Sequence, residues 1–133
     1  MKSHILSIAL AAAALLSAPL CLAQEPQEPD IDKIITAQLD NLTKTFDLDE
    51  VQVFFVDSIL QANYHGMMDE NDRVRKTGAT NTDTYQAIAD KWMDINDKAL
   101  ERVFTKEQWA KYMKSGYGKE KKRRDKRIAE RGY

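Results

Sequence analysis

Cysteine occurs once in this chain, as Cys21, and histidine twice, as His4 and His65. If the first 23 residues are a leader, as argued below, the remainder has no thiol and a single imidazole. A disulfide is then ruled out, and so is a Cys/His zinc cluster within one chain. Carboxylates near His65, among them Asp69, Glu70 and Asp72, are readable as a weak metal site or, more commonly, as a solvated helix end, and Asp69 to Asp72 lacks the spacing and the glycine of a calcium loop. There is no glycine-rich phosphate loop, no nucleophile elbow and no Ser/His/Asp set in a recognisable context. The expectation is a protein without catalytic residues, metal or cofactor. Glycine and proline are also scarce, at five and three. No useful run alternates apolar and polar residues, so β-structure is not expected either.

What is present begins with MKSHILSIALAAAALLSAPLCLA, residues 1–23. A basic start at Lys2, an apolar run from Ile5 to Leu16, the helix breaker Pro19, and small side chains at Cys21 and Ala23 read as a secretory signal cleaved after Ala23. The run is too short for a stable membrane span. Lipidation at Cys21 is disfavoured by the bulky Leu20 before it. The expected destination is the periplasm or the exterior of the cell. Residues 24–29 form a polar, proline-interrupted, flexible lead-in.

Charge is uneven beneath a near-neutral total. Residues 24–117 hold 18 acidic and 11 basic side chains, whereas residues 118–133 hold 8 basic and 3 acidic ones. The chain thus divides into an acidic helical domain over 30–117 and a basic tail over 118–133, readable as a solvated helical extension in which the last helix resumes, as a frayed end, or as an electrostatic docking element. An exported chain without a nucleic-acid-binding signature is not expected to bind nucleic acid.

Apolar residues recur at three- and four-residue steps. They do so from Ile31 to Phe46, from Val53 to Met67 with polar residues that extend the segment towards Lys76, from Tyr85 to Val103, and from Trp109 to Met113. This predicts an all-α protein with four helices in a thin, elongated up-and-down arrangement. Two of the starts are specified twice over. Asp49 and Thr105 are N-cap residues with Gln52 and Gln108 at N3, the two halves of a capping box. Leu48 with Val53, and Phe104 with Trp109, stand at the positions of hydrophobic staples. Caps for the first and third helices are expected at Asp30 and at Thr82 or Asp83. A slender bundle cannot cover all its apolar surface, so some of Val51, Phe54, Phe55, Trp92 and Met93 should stay exposed. Phe54, Phe55, Trp92 and Met93 are the candidate contacts for clients or partners, and an antiparallel homodimer is expected.

The segments Leu48-Asp49-Glu50-Val51-Gln52 and Phe104-Thr105-Lys106-Glu107-Gln108 resemble the twin L-T-x-x-Q motifs of the Spy/CpxP family of small periplasmic helical proteins. VFTKEQWAKYMK, from Val103 to Lys114, is similar to the L-T-P-E-Q-W-x-K-Y ending of exported relatives. The resemblance covers most of the chain after the leader. Asp49 stands where the family has threonine and Phe104 where it has leucine, and both keep the physics of cap and staple. What the resemblance implies is a curved antiparallel helical dimer and an ATP-independent chaperone or envelope-stress role, with partly folded clients held on a concave face. Some members modulate a sensor kinase and some bind zinc. Members with chaperone activity tend to carry a basic concave face, whereas this body is acidic outside its tail. The competing expectation is a non-enzymatic interaction module, sensor-modulating or structural, that docks through its helical body and basic tail.

Overall fold

The computed structural model describes residues 29–132; the expected leader over 1–23 and all but the last residue of the expected lead-in over 24–29 lie outside them. Among the described residues the chain is helical almost throughout. The helices are α1 (Ile31–Phe46), α2 (Glu50–Lys76), α3 (Thr82–Val103), α4 (Lys106–Lys114) and α5 (Gly116–Arg131). Four were expected, and the fifth arises at Ser115. Its extended backbone ends α4, and its Oγ accepts from the amide of Tyr117, so one residue closes one helix and caps the next. The SGYG segment is therefore a junction of two helices, and the basic tail is the second of them.

Helices α2 and α3 form an antiparallel hairpin around a turn at 77–81. α1 packs back along α2, and α5 packs back along α3. α2 is 27 residues long and α1 only 16, so at 1.5 Å per residue the hairpin tip reaches about 15 Å beyond α1. The aliphatic core lies at the other end, where the α1–α2 and α3–α4 turns meet. Ile35, Leu42, Phe46, Leu48, Val56, Leu60, Leu100, Phe104 and Tyr112 are buried there. Phe46 is central, with ring centroids 5.6 Å from Phe104 and 5.5 Å from Tyr112. Tyr112 in turn stacks on Trp109 at 4.8 Å and on Tyr117 at 5.2 Å. Each fully buried aliphatic or aromatic side chain contributes about 1.5–3 kcal/mol, so this end carries most of the stability.

Towards the tip the α2–α3 contact turns polar. Asn63 Nδ2 donates to Asn96 Oδ1 at 3.4 Å and to the carbonyl of Ile59 at 2.8 Å. One turn further, Gly66 lets the Trp92 indole lie flat on the α2 backbone, because a β-carbon there would stand 2.3 Å from the ring. The indole Nε1 donates to Glu70 at 2.6 Å, and Lys91 bonds the same carboxylate. The caps of α1, α2 and α4 are the expected Asp30, Asp49 and Thr105. α3 begins one residue before the expected choice. Asn81 accepts from the Asp83 amide through its side chain and is the cap, leaving Thr82 and Asp83 inside the first turn.

Candidate functional site

Both capping boxes are complete. The Asp49 carboxylate accepts from the Gln52 amide at 2.8 Å, and Gln52 Oε1 accepts from the Asp49 amide at 3.1 Å. Thr105 and Gln108 repeat the pattern at 3.1 and 2.9 Å. The tertiary fold then sets the two glutamines face to face. Gln52 Nε2 donates to Gln108 Oε1 at 2.6 Å, and Gln108 Nε2 donates to Gln52 Oε1 at 3.1 Å. The remaining proton of Gln52 goes to the carbonyl of Val103, and that of Gln108 is shared by the carbonyls of Phe46 and Asp47. Every donor and acceptor of both amides is therefore used. Backbone amides demand an oxygen on one side and backbone carbonyls demand a nitrogen on the other, so only one orientation of each amide satisfies the network.

This amide pair answers why two helices start with the same five-letter pattern. Each glutamine caps its own helix and then clamps the end of the helix that precedes the other. The hydrogen bonds of the α1–α2 and α3–α4 turns are thus reciprocal across the pair. Lys111 adds a strut, donating at 2.7 Å to the carbonyl of Thr45 in the last turn of α1, where the helix dipole favours a cation. Leu48, Asp49, Gln52, Phe104, Thr105 and Gln108 thus form one structural lock. It has no spare polar atom at the glutamines with which to hold a ligand.

The apolar candidates separate. Phe54 and Phe55 are 67% and 50% exposed and meet edge to face at 5.6 Å, and Val51, one turn back, is 65% exposed. Ser58 and Ala62 extend the same exposed side of α2. Trp92 is half-buried between α3 and α2, held by Gly66 and Glu70. Met93 is half-buried and lines a groove of about 540 Å³ between α1 and α5, with Gln38, Tyr64, Tyr112 and Tyr117 also on its walls. The four residues do not share a face: two present their rings to solvent and two are packed.

The tail supplies a charge arrangement that the sequence reading missed. α5 lies on α3 through three arginines. Arg124 pairs with Asp97, both of them buried, and the hydroxyl of Tyr112 donates to the same carboxylate at 2.7 Å. Arg127 and Arg131 grip Asp90 at 2.8 and 2.6 Å. Burial pushes the Asp90 carboxyl up, but the bonds from Arg127, Arg131 and Gln86 outweigh it and hold the pKa at about 2. At Asp97 burial prevails, and the carboxyl is raised despite Tyr112 and Arg124. A usable signal did exist in the sequence. Asp90 and Asp97 are seven residues apart on α3, and Arg124 and Arg131 are seven apart on the tail, so antiparallel helices bring the two sets into register. The outer side of α5 exposes Lys119, Lys122, Arg123 and Lys126.

Among the described residues no group of three His, Cys, Asp or Glu side chains is arranged to hold a metal ion, and no helix is long and apolar enough to cross a membrane. Fold and site together define a small all-helical protein, locked at one end by a glutamine pair and presenting a bare aromatic face on its longest helix. The chain matches no family model, no curated protein and no solved structure.

Proposed function

We propose that this protein is an exported, nucleotide-independent binder of partly folded proteins in the cell envelope, with a chaperone-like or envelope-stress role. The binding face is the exposed stripe of α2 around Val51, Phe54 and Phe55. The observation that carries the reading is the exposure of two adjacent phenylalanines on a well-packed helix whose other sides bury Val56 and Leu60 completely. Apolar side chains grouped in this way, rather than scattered singly, favour association with another apolar surface. Binding by burial of aromatic area is non-directional, as capture of varied unfolded segments requires. The leader over residues 1–23 and the L-T-x-x-Q-like motifs support the location and the role. The test is aggregation of an unfolded reporter at stoichiometric protein without nucleotide. The chain should suppress it, and Phe54→Ser/Phe55→Ser should lose most of that effect at unchanged helix content. Failure of the folded native chain to suppress aggregation rejects the proposal.

A second reading, docking through the tail, is favoured by the four exposed cations on the outer side of α5. Truncation after Tyr117 is a poor test, because it also strips Arg124 from Asp97. Charge reversal at Lys119, Lys122 and Lys126 leaves the inner arginines in place. Loss of binding to an envelope partner, with holding activity retained, is the result that this reading expects.

A further inference from the structure

We infer that the α2 stripe selects cationic, apolar segments, such as basic amphipathic helices, over acidic ones; the inference rests on the client-binding reading. Its first support is a one-sided charge distribution. Between Lys44 and Arg73 there is no lysine or arginine, whereas Asp47, Asp49, Glu50, Asp57, Asp69, Glu70 and Asp72 all fall in that interval. The first two turns of the helix that carries the bare phenylalanines, and the turn that leads into them, therefore hold acidic side chains without a basic one, and the basic residues of α2 lie at its far end, at Arg73, Arg75 and Lys76. Placement sharpens the point. Glu50 lies one turn before Phe54 and Asp57 one turn after it, so carboxylates border the aromatic patch along one edge, while the exposed Asp47 and Asp49 stand at its end. Ser58 and Ala62, small and exposed, continue the stripe as a shallow path towards Asp69. From Val51 to Asp69 the path is about 27 Å long at 1.5 Å per residue, enough for roughly five turns of a partner helix.

The other elements do not cancel this field. On α3 the exposed cations are Lys91, Lys98 and Arg102; Glu70 holds Lys91 at 2.6 Å, Asp94 holds Lys98 at 2.7 Å, and Glu101 stands beside Arg102. The densest positive charge of the molecule is on α5, where Arg124, Arg127 and Arg131 are already engaged by Asp97 and Asp90. Such a surface repels an acidic segment or an anionic bilayer and attracts one whose apolar face is flanked by lysine or arginine. A second copy is a poorer occupant. Stripe against stripe would set the carboxylates of one chain against those of the other, and the outer face of α5 offers Lys119, Lys122, Arg123 and Lys126 but no large apolar side chain to cover Phe54 and Phe55.

The experiment uses the full chain and two labelled amphipathic peptides with one apolar face in common, one bearing lysine and the other glutamate on the polar face. The lysine peptide should bind at least about tenfold more tightly at low salt, and the gap should close as salt shortens the Debye length to about 3 Å near 1 M. Glu50→Gln/Asp57→Asn should shrink the preference, and Phe54→Ser/Phe55→Ser should abolish binding of both peptides. Equal binding of the two peptides overturns the charge selection while leaving the client-binding reading standing. Binding of neither overturns both. Sedimentation that shows a dimer dissolved by Phe54→Ser/Phe55→Ser would name a second copy as the occupant and also overturn the inference.

Discussion

Gln52 and Gln108 are hydrogen-bonded to each other through both amides, at 2.6 and 3.1 Å, while each caps its own helix. The pair joins the two turns of the core end and leaves no amide atom unused. Gln108→Ala removes the cap bond to Thr105 and the bonds to Phe46 and Asp47, and strands half the hydrogen bonding of Gln52. Urea unfolding should show a loss of about 2–4 kcal/mol, and Gln52→Ala a similar one. Because each change strands the same partner groups, the double variant should cost less than the sum by at least about 1 kcal/mol. Additive losses would mean that the two caps act independently.

Acid should weaken the docking of α5 through Asp90. Its folded pKa of about 2 lies below the roughly 3.9 of an unfolded aspartate, so its contribution is complete above pH 4 and lost as the pH falls towards 2. Asp90 is only 2% exposed, and the contribution at stake is about 2 kcal/mol. Asp97 has the opposite sign. Its raised pKa means that the folded state takes up a proton more readily, which favours folding as the pH falls. The difference in stability between the native chain and Asp90→Asn isolates the first effect and should vanish between pH 4 and pH 2. A difference that stays constant over that range contradicts the assignment.

The buried pair of Arg124 and Asp97 should behave as a unit. Arg124→Met leaves a carboxylate buried beside Tyr112 without its main counter-charge, at a cost of about 3 kcal/mol or more. Adding Asp97→Asn removes the unpaired charge and keeps an acceptor for the tyrosine, so most of the loss should be recovered. Thermal unfolding of the two variants checks this, and a double variant less stable than Arg124→Met would refute it.

Gly66→Ala should disrupt the tip rather than the core. The added carbon meets the Trp92 ring at 2.3–2.9 Å, and the indole can retreat only by giving up its bond to Glu70. A loss of about 1–3 kcal/mol is expected from such overpacking. In a Trp109→Phe background the emission of Trp92 should shift to the red as the ring reaches water. Unchanged emission would argue against this packing.

Phe54→Ser/Phe55→Ser should leave stability within about 0.5 kcal/mol, because both rings are largely in solvent already. Calorimetry beside the binding assays separates loss of a surface from loss of the fold.

Helix starts were legible because a cap is local, and the capping boxes of α2 and α4 span only four residues each. Asp30, Asp49 and Thr105 could be placed from their neighbours alone. Asn81 was missed because three consecutive cap-forming residues, Asn81, Thr82 and Asp83, compete there and only the backbone decides among them. Exposure was legible only as a surplus of apolar side chains among Val51, Phe54, Phe55, Trp92 and Met93, and the structure puts it on Val51, Phe54 and Phe55, opposite the buried Val56 and Leu60. It was not legible for Trp92, whose seat is made by a glycine on another helix. α5 was hard to read because it has almost no apolar stripe. It is held by arginines on aspartates, and polar periodicity looks the same whether it faces solvent or a partner.

The residues by themselves determined the all-helical class and the points where α2 and α4 begin, since these follow from interactions within a turn or two of one helix. Only the tertiary structure decided that Gln52 would meet Gln108, that Trp92 would lie on Gly66, and that the basic tail would turn three of its eight cations inward. Those contacts join groups far apart along the chain, and their stability comes from burying polar atoms together, which depends on how whole helices pack rather than on any local pattern.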